Sequence, residues 1–341
     1  MVVKMKKNMT NWINELKTAK IKKAMPVLSF PCITLMDITV KELISDSNVQ
    51  AQGMKMIAEK CDTAASVSMM DLSVEAEAFG SAISVPDDEV PTVVGRIIES
   101  PEDAEALAVP NVGAGRTALY VSAIKKAAEE ITDRPVFAGV IGPFSLAGRL
   151  MDMTEIMVNC YVEPEMVHTT LQKTTDFIIK YIKAFKEAGA NGVVIAEPAA
   201  GLLSPELNKD FSVPYVKRIV EAVTDDSFIL IYHNCGNTIP LIDDILSIGA
   251  NAYHFGNAID MSELAKLIPS DVVFMGNVDP AGEFRNGTVE SITAATKKVL
   301  DACARYSNFV PSSGCDIPPL AKWENINAFF KTVEEFYKTT D

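Results

Sequence analysis

The chain has 341 residues, 48% of them hydrophobic and 22% charged, enough apolar material for a sizeable core and unlike disordered, collagen-like or low-complexity chains. A formal charge of −14 and a pI near 4.8 exclude a nucleic-acid-binding face and an anionic membrane surface as partner. Six cysteines are too few for a disulfide scaffold and suit a reduced, cytoplasmic setting.

Residues 1–23 carry seven lysines, Lys4, Lys6, Lys7, Lys17, Lys20, Lys22 and Lys23, against one acid, Glu15. No apolar h-region follows, so this is not read as a secretory signal. Trp12, Ile13 and Leu16 instead share the buried face of an amphipathic helix. Residues 1–25 are therefore read as a helical extension and 26–341 as one domain. No run of 18 apolar residues suggests a membrane span.

Short apolar runs predict strands at Ser29–Leu35, Ser66–Met70, Ala82–Val85, Val136–Ile141, Gly192–Ala196, Phe228–Tyr232, Ala252–Phe255, Val272–Met275 and Asn308–Val310. Helical patterns lie between and after them: Asn48–Lys60, Ala104–Val109, Arg116–Ile131, Pro164–Ala188, Ser204–Val223, Ile239–Ile248, Met261–Ile268, Val289–Tyr306 and Trp323–Tyr337. Ser204-Pro205-Glu206 supplies a cap, a Pro at the first helical position and an acid in the first turn. Strand and helix alternating at this rhythm mean βαβ units and a parallel sheet. Eight or nine strands over this length predict an α/β protein of the closed (β/α)8 TIM-barrel type with an N-terminal helical extension. No G-x-G-x-x-G follows the first strand, so no dinucleotide site is indicated.

In a barrel of this kind the active site lies at the C-terminal ends of the strands. Reactive residue types collect there. His233-x-Cys235 ends one strand, and residues i and i+2 of a strand point the same way. Cys315 follows a later strand. Imidazole and two thiolates are Zn²⁺ ligands, and three protein ligands leave a fourth position open for catalysis. Such a metal would hold an incoming thiol deprotonated, making a nucleophile without a general base. A hydrogen-bonded His beside two inert cysteines fits the same spacing, and spacing alone leaves both readings open. Glu197 ends a buried strand and is either a fourth, displaceable zinc ligand or a substrate partner. Asp71 and Asp279 are rim carboxylates for which capping or loop bonding is an equal reading. Phe144, His254, Asn257 and Asn277 complete the substrate-binding candidates, on turns or strand ends that shape a pocket.

Six segments carry a family resemblance: VEAEAFG at 74–80, IGPFSLA at 141–147, AEPAAGLLSP at 196–205, HNCG at 233–236, GNVDP at 276–280 and SGCDIPP at 313–319. From about residue 26 to 341 the chain resembles the uroporphyrinogen decarboxylase superfamily. The His-x-Cys…Cys set resembles its corrinoid-dependent, methylcobamide:coenzyme M type methyltransferase branch. That resemblance implies a TIM barrel with zinc held by His233, Cys235 and Cys315, and with Glu197 similar in position to a rim Glu at the fourth site. It implies methyl transfer from a methylcobamide, carried on a small corrinoid protein, to a thiol such as coenzyme M or homocysteine, with cob(I)alamin leaving. The acidic charge predicts a donor protein with a complementary patch. Three alternatives stay open: methyl transfer to tetrahydrofolate, a non-catalytic corrinoid-protein-binding barrel, and decarboxylation of a tetrapyrrole with Asp71 stabilising charge. The decarboxylases resembled here carry arginines near the N-terminus for substrate carboxylates, whereas Ser29–Val40 holds no Arg.

Overall fold

The computed structural model describes residues 7–339, so Lys4 and Lys6 lie outside the described residues. The strands, in chain order, are β1 (Ser66–Val67), β2 (Ala82–Ser84), β3 (Thr92–Val94), β4 (Val136–Ile141), β5 (Gly192–Ala196), β6 (Ile229–Asn234), β7 (Ala252–Phe255), β8 (Val273–Val278) and β9 (Phe309–Ser313). β1 and β4 to β9 form one parallel sheet in sequence order. β2 and β3 form a separate antiparallel hairpin. The sheet curls until β1 and β9 flank segment 24–28. On one side the Met25 amide donates to the Pro311 carbonyl at 2.9 Å, and on the other the Ala64 amide donates to the Ala24 carbonyl at 2.9 Å. This segment is the eighth stave of a TIM barrel.

The alternation expected of strands sorts the core into two layers. Val67, Phe137, Val194, Ala196, Ile229, Ile231, Val273, Met275 and Val310 fill the barrel. Val193, Ile195, Leu230, Tyr232, Tyr253, Phe255 and Phe274 pack outward under the helices. The helix Met9–Thr18 closes the floor. Its Met9, Trp12 and Leu16 are buried in the barrel cluster, whereas Ile13 is half-buried beside it. The Trp12 ring lies 5.5 Å from that of Phe137. The Met9 amide donates to the Asp226 carbonyl at 2.7 Å, just before β6. The Lys22 ammonium donates to the carbonyls of Leu16, Lys17 and Ser307, pinning the helix end to the strand bottoms. Trp12→Ala would open a cavity under the barrel and is expected to lower stability by about 3–5 kcal/mol, read from the denaturant midpoint.

Four expectations are corrected. Ser29–Leu35 is not a strand: Pro31, with φ −61°, leads into a short helix, Cys32–Met36, that Asp37 ends in the left-handed region. Short apolar runs do not distinguish the two structures. Ala82–Val85 contributes β2 of the hairpin, not a barrel strand. Ser204–Val223 is two helices, Pro205–Phe211 and Val213–Val223, divided at Ser212 before Pro214. Gly142-Pro143-Phe144 is not only a turn but opens the helix Pro143–Met151, with Gly142 as N-cap and Pro143 at the first position. Among the described residues no helix is long and apolar enough to cross a membrane.

Candidate metal centre

Ile229 and Ile231 point into the barrel from β6, so His233 and Cys235, continuing the same parity, reach its mouth on one face. Gly256 makes room: a Cβ there would run into the backbone and Cβ of Cys235. Cys315 arrives from beyond β9, two residues past its last paired residue. Its Sγ lies 3.4 Å from His233 Nε2. One donor atom from each of the three residues falls within 4.8 Å of the others. Zn–S and Zn–N bonds of about 2.3 and about 2.0 Å at tetrahedral angles separate S from N by about 3.5 Å. The donor set therefore fits zinc in both chemistry and spacing. Among the described residues it is the one group of three His, Cys, Asp or Glu that meets this condition.

The two thiols are unequal. The Cys315 thiol donates toward Cys235, and that hydrogen bond holds the Cys235 thiol well below its ordinary value. Cys315 is pushed up by the same hydrogen bond and by burial. Behind His233 lies His254 of β7, its register partner. The two Nδ1 atoms are 2.7 Å apart, and His254 Nε2 is 2.7 Å from Ser312 Oγ. Burial holds His254 far below the usual imidazole value.

Glu197 does not join this group. Its carboxylate turns to the helix Pro143–Met151 and accepts from the amides of Phe144 at 3.0 Å and Ser145 at 2.6 Å. A Cβ at Gly142 would collide with it. A carboxylate at a helix N-terminus satisfies amides that have no helical partner. Phe144 is fully buried. Asp71 is also committed: Arg116 Nη1 lies 2.5 Å from its Oδ2, Tyr120 donates to the same oxygen at 2.6 Å, and Ser73 donates to Oδ1 at 2.5 Å. Asn277 donates to the carbonyls of Gly256 and Ile259. Asp279 caps Ala281 and Gly282. Asn257 is exposed and packs on Gly314, next to Cys315. Asn257, Asn277 and Asp279 line a cleft of about 400 Å³ at the rim. Arg116, Ser312 and the Met25 carbonyl are contributions that sequence reasoning missed. The parity of β9 was the available signal for Ser312, since Val310 and Ser312 share a face.

Burial raises Glu197 to about 7 and Glu75 to about 8. In the unfolded chain both ionise near the ordinary carboxylate value, so the unfolded state loses its protons first. The part of the stability that these two carboxyls carry is therefore expected to fall as pH rises from about 4.5 to about 8. Denaturant midpoints of the wild type and of Glu75→Gln at pH 5 and pH 8 check the sign: the wild type should lose more than the variant over this range.

The sequence pattern of the family described as uroporphyrinogen decarboxylase (URO-D) matches residues 21–336. The methylcobamide:CoM methyltransferase MtbA of Methanosarcina acetivorans is 29% identical over 270 residues, covering 78% of each chain. The uroporphyrinogen decarboxylase of Coxiella burnetii is 27% identical over 284 residues, 76% of each chain. A solved methyltransferase from Methanosarcina mazei superposes with a TM-score of 0.84 at 25% identity, covering 96% of this chain and 98% of that one.

Proposed function

The chain belongs to the uroporphyrinogen decarboxylase (URO-D) family, and from that premise we propose that it is a zinc-dependent methyltransferase. It would move a methyl group from a methylated corrinoid protein to a small thiol, with coenzyme M as the first acceptor to test. The observation that carries this reading is the meeting of His233 Nε2 with the Cys235 and Cys315 sulfurs at one point of the barrel mouth. When bound, zinc would lower the pKa of an acceptor thiol and present its sulfur as a nucleophile at neutral pH.

The remaining work falls to the chain. His233, Cys235 and Cys315 supply three donors and leave the fourth direction to the acceptor. The Cys315 hydrogen bond holds the Cys235 thiol well below its ordinary value, so of the two thiols it gives up its proton to a metal more readily. The barrel walls exclude water beneath the site, where Ile231, Ala196 and Met275 are buried. The acceptor's sulfur pair forms the new S–C bond while the carbon–cobalt bond breaks and its pair stays on cobalt. The similarity to MtbA, named a methylcobamide:CoM methyltransferase, supports this reaction class. Against decarboxylation stands Asp71, whose oxygens are held by Arg116, Tyr120 and Ser73.

The test pairs elemental analysis of the purified protein with methylcobalamin turnover. About one zinc per chain is expected. Methylation of coenzyme M or homocysteine, with none of tetrahydrofolate, supports the reading. A chain that neither contains nor takes up zinc, or that methylates tetrahydrofolate and no thiol, overturns it.

A further inference from the structure

A line of buried groups stands behind His233, and its far end fixes the direction of every hydrogen bond in it. The Met25 carbonyl can only accept, so the Ser312 hydroxyl donates to it, at 2.7 Å. The Ser312 oxygen then accepts from His254 Nε2, 2.7 Å away. With its proton on Nε2, His254 has Nδ1 left to accept. His233 Nδ1 faces that atom at 2.7 Å and supplies the proton. The His254 carbonyl, 3.3 Å from the same nitrogen, is a second group that only accepts. His233 is left with a bare Nε2, the atom that faces Cys315 Sγ at 3.4 Å.

We propose that His254 is a positioning residue for the metal centre: backed by Ser312 and the Met25 carbonyl, it fixes the tautomer and ring plane of His233 so that Nε2 is a ready lone pair. The inference rests on the metal reading of His233, Cys235 and Cys315 given above. The geometry is suited to the task. β6 and β7 pair in register with His233 opposite His254, and the two rings meet at 66° with centroids 4.7 Å apart. His233, His254 and Ser312 are 1%, 2% and 0% exposed, so bulk water is not at hand to replace a deleted partner. An imidazole that ligates through one nitrogen is oriented by what the other nitrogen donates to. Here that acceptor is a second imidazole, whose own orientation is set by a main-chain carbonyl from the barrel's closing stave.

The test uses the full chain and measures zinc affinity by chelator competition, with the absorption spectrum of the Co²⁺-loaded protein as a second readout. His254→Leu keeps the bulk and removes the acceptor. It is expected to weaken zinc binding about 10–100-fold and to shift the cobalt bands. His254→Asn puts an amide oxygen near the place of Nδ1 and is expected to restore affinity to within about threefold of the wild type. Ser312→Ala releases the His254 tautomer and is expected to weaken binding by a smaller factor. It decides the question if His254→Leu does not fold. A folded His254→Leu, or in its absence Ser312→Ala, that binds zinc as the wild type does overturns the inference alone. So does a His254→Asn protein no better than His254→Leu. A wild-type chain that takes up no zinc overturns this inference and the metal reading together.

Discussion

Cys235→Ser is expected to abolish zinc retention and methyl transfer together. The substitution keeps the shape of the side chain but replaces a soft thiol, held below its ordinary value by the Cys315 hydrogen bond, with a hydroxyl that stays neutral. Structural zinc sites are worth about 10–16 kcal/mol over four ligands, or about 2.5–4 kcal/mol each. Loss of one soft ligand from a set of three then weakens zinc binding by at least about a hundredfold. The turnover rate with methylcobalamin and thiol should fall by a similar factor. Elemental analysis and the initial rate are read on the same preparation, with circular dichroism to show the barrel intact. Methyl transfer that survives in a zinc-free Cys235→Ser protein would sink the mechanism.

Glu197→Ala should have the opposite profile: a large loss of stability with zinc content unchanged. Two buried amides, of Phe144 and Ser145, would lose their acceptor at about 1–3 kcal/mol each, and a cavity would open where the side chain stood. The expected cost is about 3–5 kcal/mol in the denaturant midpoint. Glu197→Gln should cost less, since one amide keeps an acceptor and the other meets an NH₂ group. Together the two sites separate what binds from what holds the rim. If Glu197→Ala instead sheds zinc at unchanged stability, the carboxylate is a ligand after all.

The barrel strands were legible because each is a plain apolar run whose inward and outward residues are both buried, as β5 and β6 show. His233 and Cys235 were legible from the same parity. What escaped the sequence was pairing across space. Asp71 reads as a free rim carboxylate until Arg116, 45 residues on, is seen against it. Glu197 reads as a site carboxylate until the Gly142-Pro143 turn is seen to start a helix whose amides need an acceptor. The eighth stave was missed because 24–28 contains Pro26 and too few β-formers to announce a strand. The helical extension read over 1–25 covers its first two residues, and the apolar run that follows, Ser29–Leu35, reads as a strand but turns into the helix Cys32–Met36. For Asp71 and Glu197 the local pattern stands and the partner lies elsewhere in the chain.

That closing stave has a consequence for biosynthesis. The Ser312 hydroxyl meets the Met25 carbonyl across 287 residues of chain, and Cys315 meets His233 across 82. Closing such long loops is entropically slow relative to local helix formation. A ribosome-bound chain that has exposed residues up to Cys235 carries His233, Cys235 and Met25 but lacks Cys315, His254 and Ser312. The three donors of the proposed centre meet only once β9 has emerged and paired with segment 24–28. On the zinc reading, a product truncated before Cys315 is expected to fail to load metal.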